Sequence, residues 1–466
     1  MSYQFHPTIL RAYDIRGEVG STLSAEDAYA IGRSFGQEIA SRLRQKTEKK
    51  PLIAVGRDGR ISSPELAAAL MDGLCDAGAD VIDIGVGATP MLYFADRLFD
   101  CDGAIQVTGS HNPKQFNGFK LVAGHASFFG DDIVGLADIA HSGWQPQQNK
   151  GEITLQDITA TYVDRLAQEA DTEGLRIVWD CGNGATGPAV EQLVQKLAGE
   201  HKTLYTEIDG TFPNHHPNPV DPETLDSLRE EVAAFSADCG IGFDGDGDRI
   251  GLIDSKGRQI PGDILTAYLA MDILAHNSGA EIIFDVKSSR NLANFITQAG
   301  GKATMWKTGH SFIKNKMKES GALLAGEMSG HIFFKERWYG FDDGLYSAAR
   351  MLEILAADNR AVSEIFNELP NDVSTPEITV HLDTDGAQHE FIDKFVQQSN
   401  FTDATLSTID GVRADFDYGW GLVRASNTTP SLVIRFEAET EEKLNQLKAD
   451  FKTQIHTVDP NINLPF

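Results

Sequence analysis

The sequence predicts an α/β protein: three similar mixed α/β domains followed by a smaller C-terminal α+β domain. Three observations carry that expectation. The chain has 466 residues, whereas a single hydrophobic core stops growing at about 250–300 residues. A strand, a glycine-containing turn and a helix-like stretch recur three times, an order that lays helices on a sheet. The C-terminal segment departs from that order.

The first unit begins with the β-rich run 51–55, which ends in Gly56-Arg57-Asp58-Gly59. Ser63 reads as a helix N-cap, Pro64 as the first helical residue and Gly78 as a C-terminal stop. Residues 81–85 follow as a second strand, and the βαβ order predicts a parallel sheet. The unit recurs at 176–180, running into Gly182-Asn183-Gly184, and at 281–285, running into Val286-Lys287-Ser288-Ser289. The likeness is one of pattern. Boundaries are expected in the polar stretch 144–156, at the turn Ser255-Lys256-Gly257-Arg258 and in the stretch 370–376, giving domains 1–153, 154–256, 257–369 and 370–466. In the last domain, strands at 378–382 and 432–436 precede a helix striped on one face by Leu444, Leu447, Phe451 and Ile455.

Hydrophobic content of 41% and charged content of 23% suit a soluble globular chain. The net charge of −28 argues against nucleic acid and against an anionic membrane as partner. A small anion held by a few converging cations remains compatible with it. The apolar run 264–275 is interrupted by Thr266 and Asp272, is too short to cross a bilayer, and reads as a buried helix. The N-terminus has no basic stretch followed by an apolar one. Cys75, Cys101, Cys181 and Cys239 are scattered without a CxxC pair, which suits a reducing compartment, so a cytoplasmic location is expected.

Four motifs carry chemistry. Thr108-Gly109-Ser110-His111-Asn112-Pro113 tops the apolar run 103–107. Gly109 permits a sharp turn and Pro113 stiffens the exit, so Ser110 Oγ faces a cleft. A plain polar loop between strand and helix fits the same residues, and His111 is not automatically a base for its neighbour, since adjacent side chains usually diverge. Asp244-Gly245-Asp246-Gly247-Asp248-Arg249 follows the strand-like run 239–243. Alternate residues of an extended loop point the same way, so three hard carboxylates converge as Mg²⁺ ligands, where a merely solvated acidic loop would suffer their repulsion. Gly326-Glu327-Met328-Ser329-Gly330-His331 offers an acceptor, a hydroxyl and a titratable ring suited to sugar hydroxyls, though a lone Glu and His are also common as structural residues. Arg424-Ala425-Ser426-Asn427-Thr428-Thr429-Pro430 can cradle a phosphate, or can be a simple Ser/Thr turn.

Together and in this order, TGSHNP, DGDGDR, GEMSGH and RASNTTP resemble the α-D-phosphohexomutase family along essentially the whole chain. YDIRG at 13–17, KTGH at 307–310 and FFKERWYGFDDG at 333–344 add to the likeness. The resemblance implies one central cleft, to which the four domains contribute in turn a phosphoserine loop, a Mg²⁺ loop, a sugar loop and a phosphate loop. It makes Ser110 the phosphoserine, and Asp244, Asp246 and Asp248 the Mg²⁺ ligands, with the Ser110 phosphate completing the site. Glu327 and Ser329 would hold sugar hydroxyls; Arg424, Ser426, Asn427 and Thr428 would hold the non-reacting phosphate. Tyr13, Arg16, His111, Lys120, Arg249, Lys287, His310 and His331 would line the cleft. Lys120 and His331 are the candidates for taking the proton of the attacking hydroxyl, with Arg16 assisting electrostatically.

The implied reaction interconverts hexose 6-phosphate and hexose 1-phosphate through a 1,6-bisphosphohexose, with glucose 1,6-bisphosphate as activator. GEMSGH matches the branch that uses mannose and glucose; GEQSGH is typical of phosphoglucosamine mutases and GEESG of other phosphoglucomutases. A phosphoglucosamine mutase and a metal-dependent sugar phosphatase are the alternatives. The resemblance also implies precursor supply for surface polysaccharide and lipopolysaccharide, and a monomer is expected.

Overall fold

Four sheets follow one another along the described chain. The computed structural model describes residues 2–44, 49–147, 149–168, 170–367, 372–384, 386–427 and 429–466. Strands β1 (Ile15–Glu18), β2 (Leu52–Arg57), β3 (Asp80–Val86), β4 (Gly103–Val107), β5 (Phe116–Ala123), β6 (Ala126–Phe128) and β7 (Ile153–Leu155) form the first sheet. Its order is β1-β5-β4-β2-β3-β7, with β6 beside β5. The second comprises β8 (Arg176–Asp180), β9 (Glu200–Leu204), β10 (Cys239–Phe243), β11 (Ile250–Asp254) and β12 (Gln259–Ile260) in the order β12-β11-β10-β8-β9. The third comprises β13 (Glu281–Asp285), β14 (Lys302–Trp306), β15 (Leu324–Gly326) and β16 (Ile332–Phe334) in the order β14-β13-β15-β16.

The fourth sheet comprises β17 (Val373–Ser374), β18 (Ile378–His381), β19 (Thr405–Ser407), β20 (Val412–Phe416), β21 (Gly419–Ala425) and β22 (Ser431–Ala438). It is antiparallel throughout. The helix Glu441–Val458 lies against it, burying Leu444, Leu447, Phe451 and Ile455 as the stripe predicts.

The first three sheets are mixed and not purely parallel. Parallel pairs β2/β3, β2/β4, β8/β10 and β13/β15 make their centres. Antiparallel β5, β11 and β16 then pair with β4, β10 and β15. This arrangement places the candidate loops. Residues 108–115 join β4 to β5, 244–249 join β10 to β11, 327–331 join β15 to β16, and 426–430 join β21 to β22. Each therefore links a strand directly to its antiparallel neighbour and not, as a strand-to-helix loop would, to a helix. Such a link must be short, so its polar side chains are held at a sheet edge by two strands at once.

Ser63 is a second departure. The helix Ser63–Asp76 starts one residue earlier than a Ser63 cap requires, and the Ser63 hydroxyl donates to Asp58 at 2.5 Å. The apolar run read as a buried helix is Gly262–His276, buried continuously over 262–270.

One apolar cluster runs from Phe94 through Trp179 and Phe243 to Tyr268 and Phe334, so the first three units share a core. The last unit has its own, centred on Phe395, Phe436 and Phe451. It meets the third unit mainly through polar groups: Arg413 donates to the carbonyls of Val286 and Ser288, both at 2.7 Å, and Ser289 donates to Glu437 at 2.7 Å. All four cysteines are buried and free. No helix among the described residues is long and apolar enough to cross a membrane.

Candidate active site

The serine loop is held from beneath by residues that the sequence motifs do not single out. Asp58, just beyond β2, accepts from the Thr108 hydroxyl (2.9 Å), the Gly109 amide (3.0 Å) and Arg60. Arg60 is 1% exposed and donates to four carbonyls of the loop: Ser110 (2.7 Å), Asn112 (2.6 Å), Pro113 (2.8 Å) and Phe116 (3.0 Å). Gly109 is required there, because a Cβ would sit 2.4 Å from the guanidinium. So clamped, Ser110 adopts a left-handed φ of 48°, the kind of strained backbone that aims a side chain out of a turn. Its Oγ donates to Asp244 Oδ2 at 3.2 Å and lies 3.1 Å from His111 Nδ1. The neighbouring side chains therefore converge where the sequence suggested divergence, because the left-handed turn redirects Ser110. Burial, then the charges of Arg249 and Arg16, hold the His111 ring well below the ordinary histidine range, so it is neutral.

Arg60→Ala should remove the guanidinium bonds to all four loop carbonyls and leave Asp58 buried without its cation. A stability loss of about 3–5 kcal/mol follows from breaking such a buried pair, and kcat should fall roughly a hundredfold from a misplaced serine. Arg60→Lys keeps the charge but not the fork, and should recover part of the melting temperature without restoring kcat. Thermal melting beside steady-state assay separates the two effects.

The aspartate loop approaches so closely that a Cβ on Gly245 would lie 2.7 Å from the Ser110 carbonyl oxygen. Asp244, Asp246 and Asp248 are fully buried and offer one oxygen each within 4.8 Å of one another. Asp244 Oδ1 accepts the amides of Gly247 and Arg249, at 3.0 and 3.2 Å. Asp246 Oδ2 accepts from Thr89 (2.5 Å) and from Lys120 Nζ (2.7 Å), and Lys120 also reaches Asp248 Oδ2. Asp246 Oδ1 and Asp248 Oδ1 are buried with no hydrogen-bond partner among the described residues. Desolvation, then the neighbouring charges of Asp246 and Asp248, push Asp244 well above the carboxylate range. Against the same desolvation, Lys120 pulls Asp246 down, and the two carboxylates hold Lys120 charged. Three carboxylates facing one ammonium in a dry interior, with two bare oxygens, fit a hard divalent cation.

The sugar loop joins this centre through an antiparallel bridge between Arg249 and His331. Arg249 Nε donates to His331 Nε2 at 2.9 Å, which leaves the ring proton on Nδ1, 3.1 Å from Asp342 Oδ2. His310 stacks on His331 with centroids 5.6 Å apart, and burial depresses its protonation. Glu327 is buried and accepts the Gly309 amide at 2.5 Å. Burial raises its pKa. Ser329 is half-buried on the same loop.

At the far end, Arg424 donates Nε to Asp410 at 3.0 Å and leaves a second guanidinium nitrogen buried without a partner among the described residues. Lys287 pairs with Glu377 at 2.9 Å. Asn427 donates to the Tyr13 hydroxyl, which in turn donates to the Thr308 carbonyl at 3.3 Å. Ser426 Oγ lies 3.0 Å from Thr429 Oγ1. Arg16 pairs with Asp14 at 2.6 Å. Thr428 lies outside the described residues. The cations of the site are thus largely held by carboxylates of the chain itself, while one donor of Arg424 has no partner among the described residues.

Ser110, His111, Lys120, the three aspartates, Arg249, His310 and His331 gather at one centre, with Glu327 bordering it. Tyr13, Lys287, Arg424, Ser426 and Asn427 gather beyond Glu327. Arg60, Asp58, Thr89, Asp342, Glu377 and Asp410 complete the site without having been singled out. Asp342 lies inside the quoted FFKERWYGFDDG stretch, where its paired acids were a signal; the others sit in ordinary turns and strand ends.

Four family profiles for phosphoglucomutase/phosphomannomutase match in sequence order: alpha/beta/alpha domain I over residues 7–141, domain II over 160–257, domain III over 261–373 and the C-terminal domain over 371–454. The chain belongs to this family. It is 47% identical over 460 residues to a phosphomannomutase/phosphoglucomutase of Pseudomonas aeruginosa, covering 98% of both chains. It is 45% identical over 461 residues to a phosphoglucomutase of Neisseria meningitidis, again covering 98% of both. A crystal structure of a phosphoglucomutase/phosphomannomutase family protein from Burkholderia thailandensis superposes with a TM-score of 0.92 at 44% identity, covering 99% of this chain and 100% of that one. Membership confirms the α/β architecture expected from the strand-turn-helix repeats and makes the chain an isomerase of the phosphoryl-shifting class.

Proposed function

We propose that the enzyme interconverts hexose 6-phosphate and hexose 1-phosphate, of mannose and glucose, through phosphorylated Ser110 and a 1,6-bisphosphohexose. The observation that carries this reading is the 3.2 Å contact of Ser110 Oγ with Asp244, at the edge of three buried carboxylates with unpartnered oxygens. The names of the relatives from Pseudomonas aeruginosa and Neisseria meningitidis support the sugar class. A division into domains 1–153, 154–256, 257–369 and 370–466 belongs to the same reading, as do a cytoplasmic, monomeric enzyme, glucose 1,6-bisphosphate as activator and a supply role for polysaccharide and lipopolysaccharide.

Asp244, Asp246 and Asp248, with the Ser110 phosphate, would hold Mg²⁺, which supplies neutralisation of phosphoryl charge. The chain's residues do the rest. Phosphoryl transfer depends on position and charge more than on covalent assistance. Lys120, kept protonated between Asp246 and Asp248, and Arg249 neutralise the transferring group. Glu327 and Ser329 orient the sugar by its hydroxyls. The free guanidinium nitrogen of Arg424 and the amides of its loop bind the phosphate that does not react, while Lys287, Tyr13, His310 and Arg16 shape the cleft between. When the bisphosphate returns a phosphoryl group, Ser110 must lose its proton. Two groups already face its Oγ, Asp244 and the neutral His111 ring. His331 has its Nε2 occupied by Arg249 and Lys120 is locked as an ammonium, so neither takes a proton until substrate displaces those partners.

Labelled phosphate tests the reading. Enzyme incubated with ³²P-hexose phosphate and Mg²⁺ should exchange label between sugar and Ser110 with little release. Free inorganic phosphate as the main labelled product would make the enzyme a phosphatase.

A further inference from the structure

Between the first and third units lies a cavity of about 450 Å³ that none of the four loops lines. Its walls are the helix Thr89–Leu98 and the β5–β6 hairpin on one side, and the helix His310–Ser320 with residues 335–341 on the other. The size is ordinary for a small-molecule site. Its charge is not ordinary for this chain, which carries 68 acidic residues against 40 basic ones. Four basic side chains, Arg97, Lys314, Lys318 and Lys335, line the cavity against one carboxylate, Asp96. That carboxylate is engaged by His125 at 2.7 Å. Lys318 and Lys335 are exposed and form no ion pair with a described residue.

The same cavity has an aromatic wall. Tyr93, Tyr339 and Phe341 line it. Tyr339 and Phe341 stack at 5.9 Å and 10°, and Tyr339 is 37% exposed. Lys314 lies over the Tyr93 ring at 4.2 Å and pairs with Asp342 at 2.8 Å. A partly exposed tyrosine ring, packed against Phe341 and Trp338 and beside two unpaired ammonium groups and a guanidinium, matches a ligand that joins an aromatic ring to phosphate.

We propose that this cavity binds a nucleoside phosphate, its base against Tyr339 and its phosphate among Lys318, Lys335 and Arg97. One link from the site to the active centre is Lys314, whose partner Asp342 lies 3.1 Å from His331. It does not depend on the role given to Ser110.

The test is calorimetric titration of the full chain, in Mg²⁺, with adenosine 5′-monophosphate and, separately, guanosine 5′-diphosphate, each with and without saturating glucose 1-phosphate. At least one should bind saturably with Kd below about 1 mM, and inorganic phosphate, lacking the ring, should bind roughly tenfold more weakly or worse. Lys318→Glu combined with Lys335→Glu, and separately Tyr339→Ser, should each weaken binding at least about tenfold while kcat without nucleotide stays at the wild-type value. No binding by either nucleotide up to about 5 mM overturns the proposal. So does unchanged affinity in both variants, or nucleotide binding that glucose 1-phosphate abolishes, which would place the nucleotide in the hexose phosphate cleft.

Discussion

Ser110→Ala is expected to lower kcat by roughly 10⁴-fold or more, the scale on which removing a group that carries the transferred moiety acts. The variant should still bind hexose phosphate, because Glu327 and Arg424 stand on other sheets and are held by Gly309 and Asp410, not by the serine. It should also stay folded. Arg60 holds the loop through backbone carbonyls, which alanine retains, and alanine at a φ of 48° costs about 1 kcal/mol, no more than serine pays there already. Intact mass completes the test: wild-type enzyme should carry a fraction heavier by about 80 Da, the net addition of one phosphoryl group, and the variant none. Glucose 1,6-bisphosphate should restore a dephosphorylated wild-type sample and do nothing for the variant. An alanine variant within tenfold of wild type would end the phosphoserine reading.

Removing the divalent cation should have an effect of similar size. One oxygen each of Asp246 and Asp248 is buried without a hydrogen-bond partner among the described residues, beside the third carboxyl of Asp244, and a hard divalent cation would satisfy both. EDTA should therefore abolish turnover and Mg²⁺ restore it. A second readout needs no activity. Mg²⁺ at about a hundred times its Kd should stabilise the folded chain by about 2.7 kcal/mol, visible as a higher melting temperature. Asp246→Asn should lose most of that rise while its melting temperature in EDTA stays near that of the wild type, since Lys120 retains Asp248. Equal turnover with and without EDTA after dialysis would remove the metal from the reaction.

Much of the architecture was legible in local pattern. The runs 176–180, 239–243 and 281–285 are strands to the residue, because a short apolar β-branched run bounded by glycine or polar turns has few other solutions. The stripe Leu444, Leu447, Phe451 and Ile455 is a helix face for the same reason. The residues of the four motifs were legible as types: hard carboxylates at alternate positions, a serine after glycine, an arginine among hydroxyls.

What local pattern could not state was pairing over distance. That β5, β11 and β16 return antiparallel beside the strands that carry the loops depends on sheet edges, which periodicity within one strand does not encode. The same holds for the groups that complete the site. Arg60 stands 50 residues from the serine whose carbonyl it holds, and Asp410 reaches Arg424 from a turn with no motif of its own. A buried guanidinium or carboxylate acquires its role only when folding removes water and leaves one partner within reach. The sequence by itself thus determined which chemistry the chain can perform, since that resides in residue type and spacing. The tertiary structure decided which charges face one another and which donors stay free, because desolvation and long-range contact exist only in the folded chain.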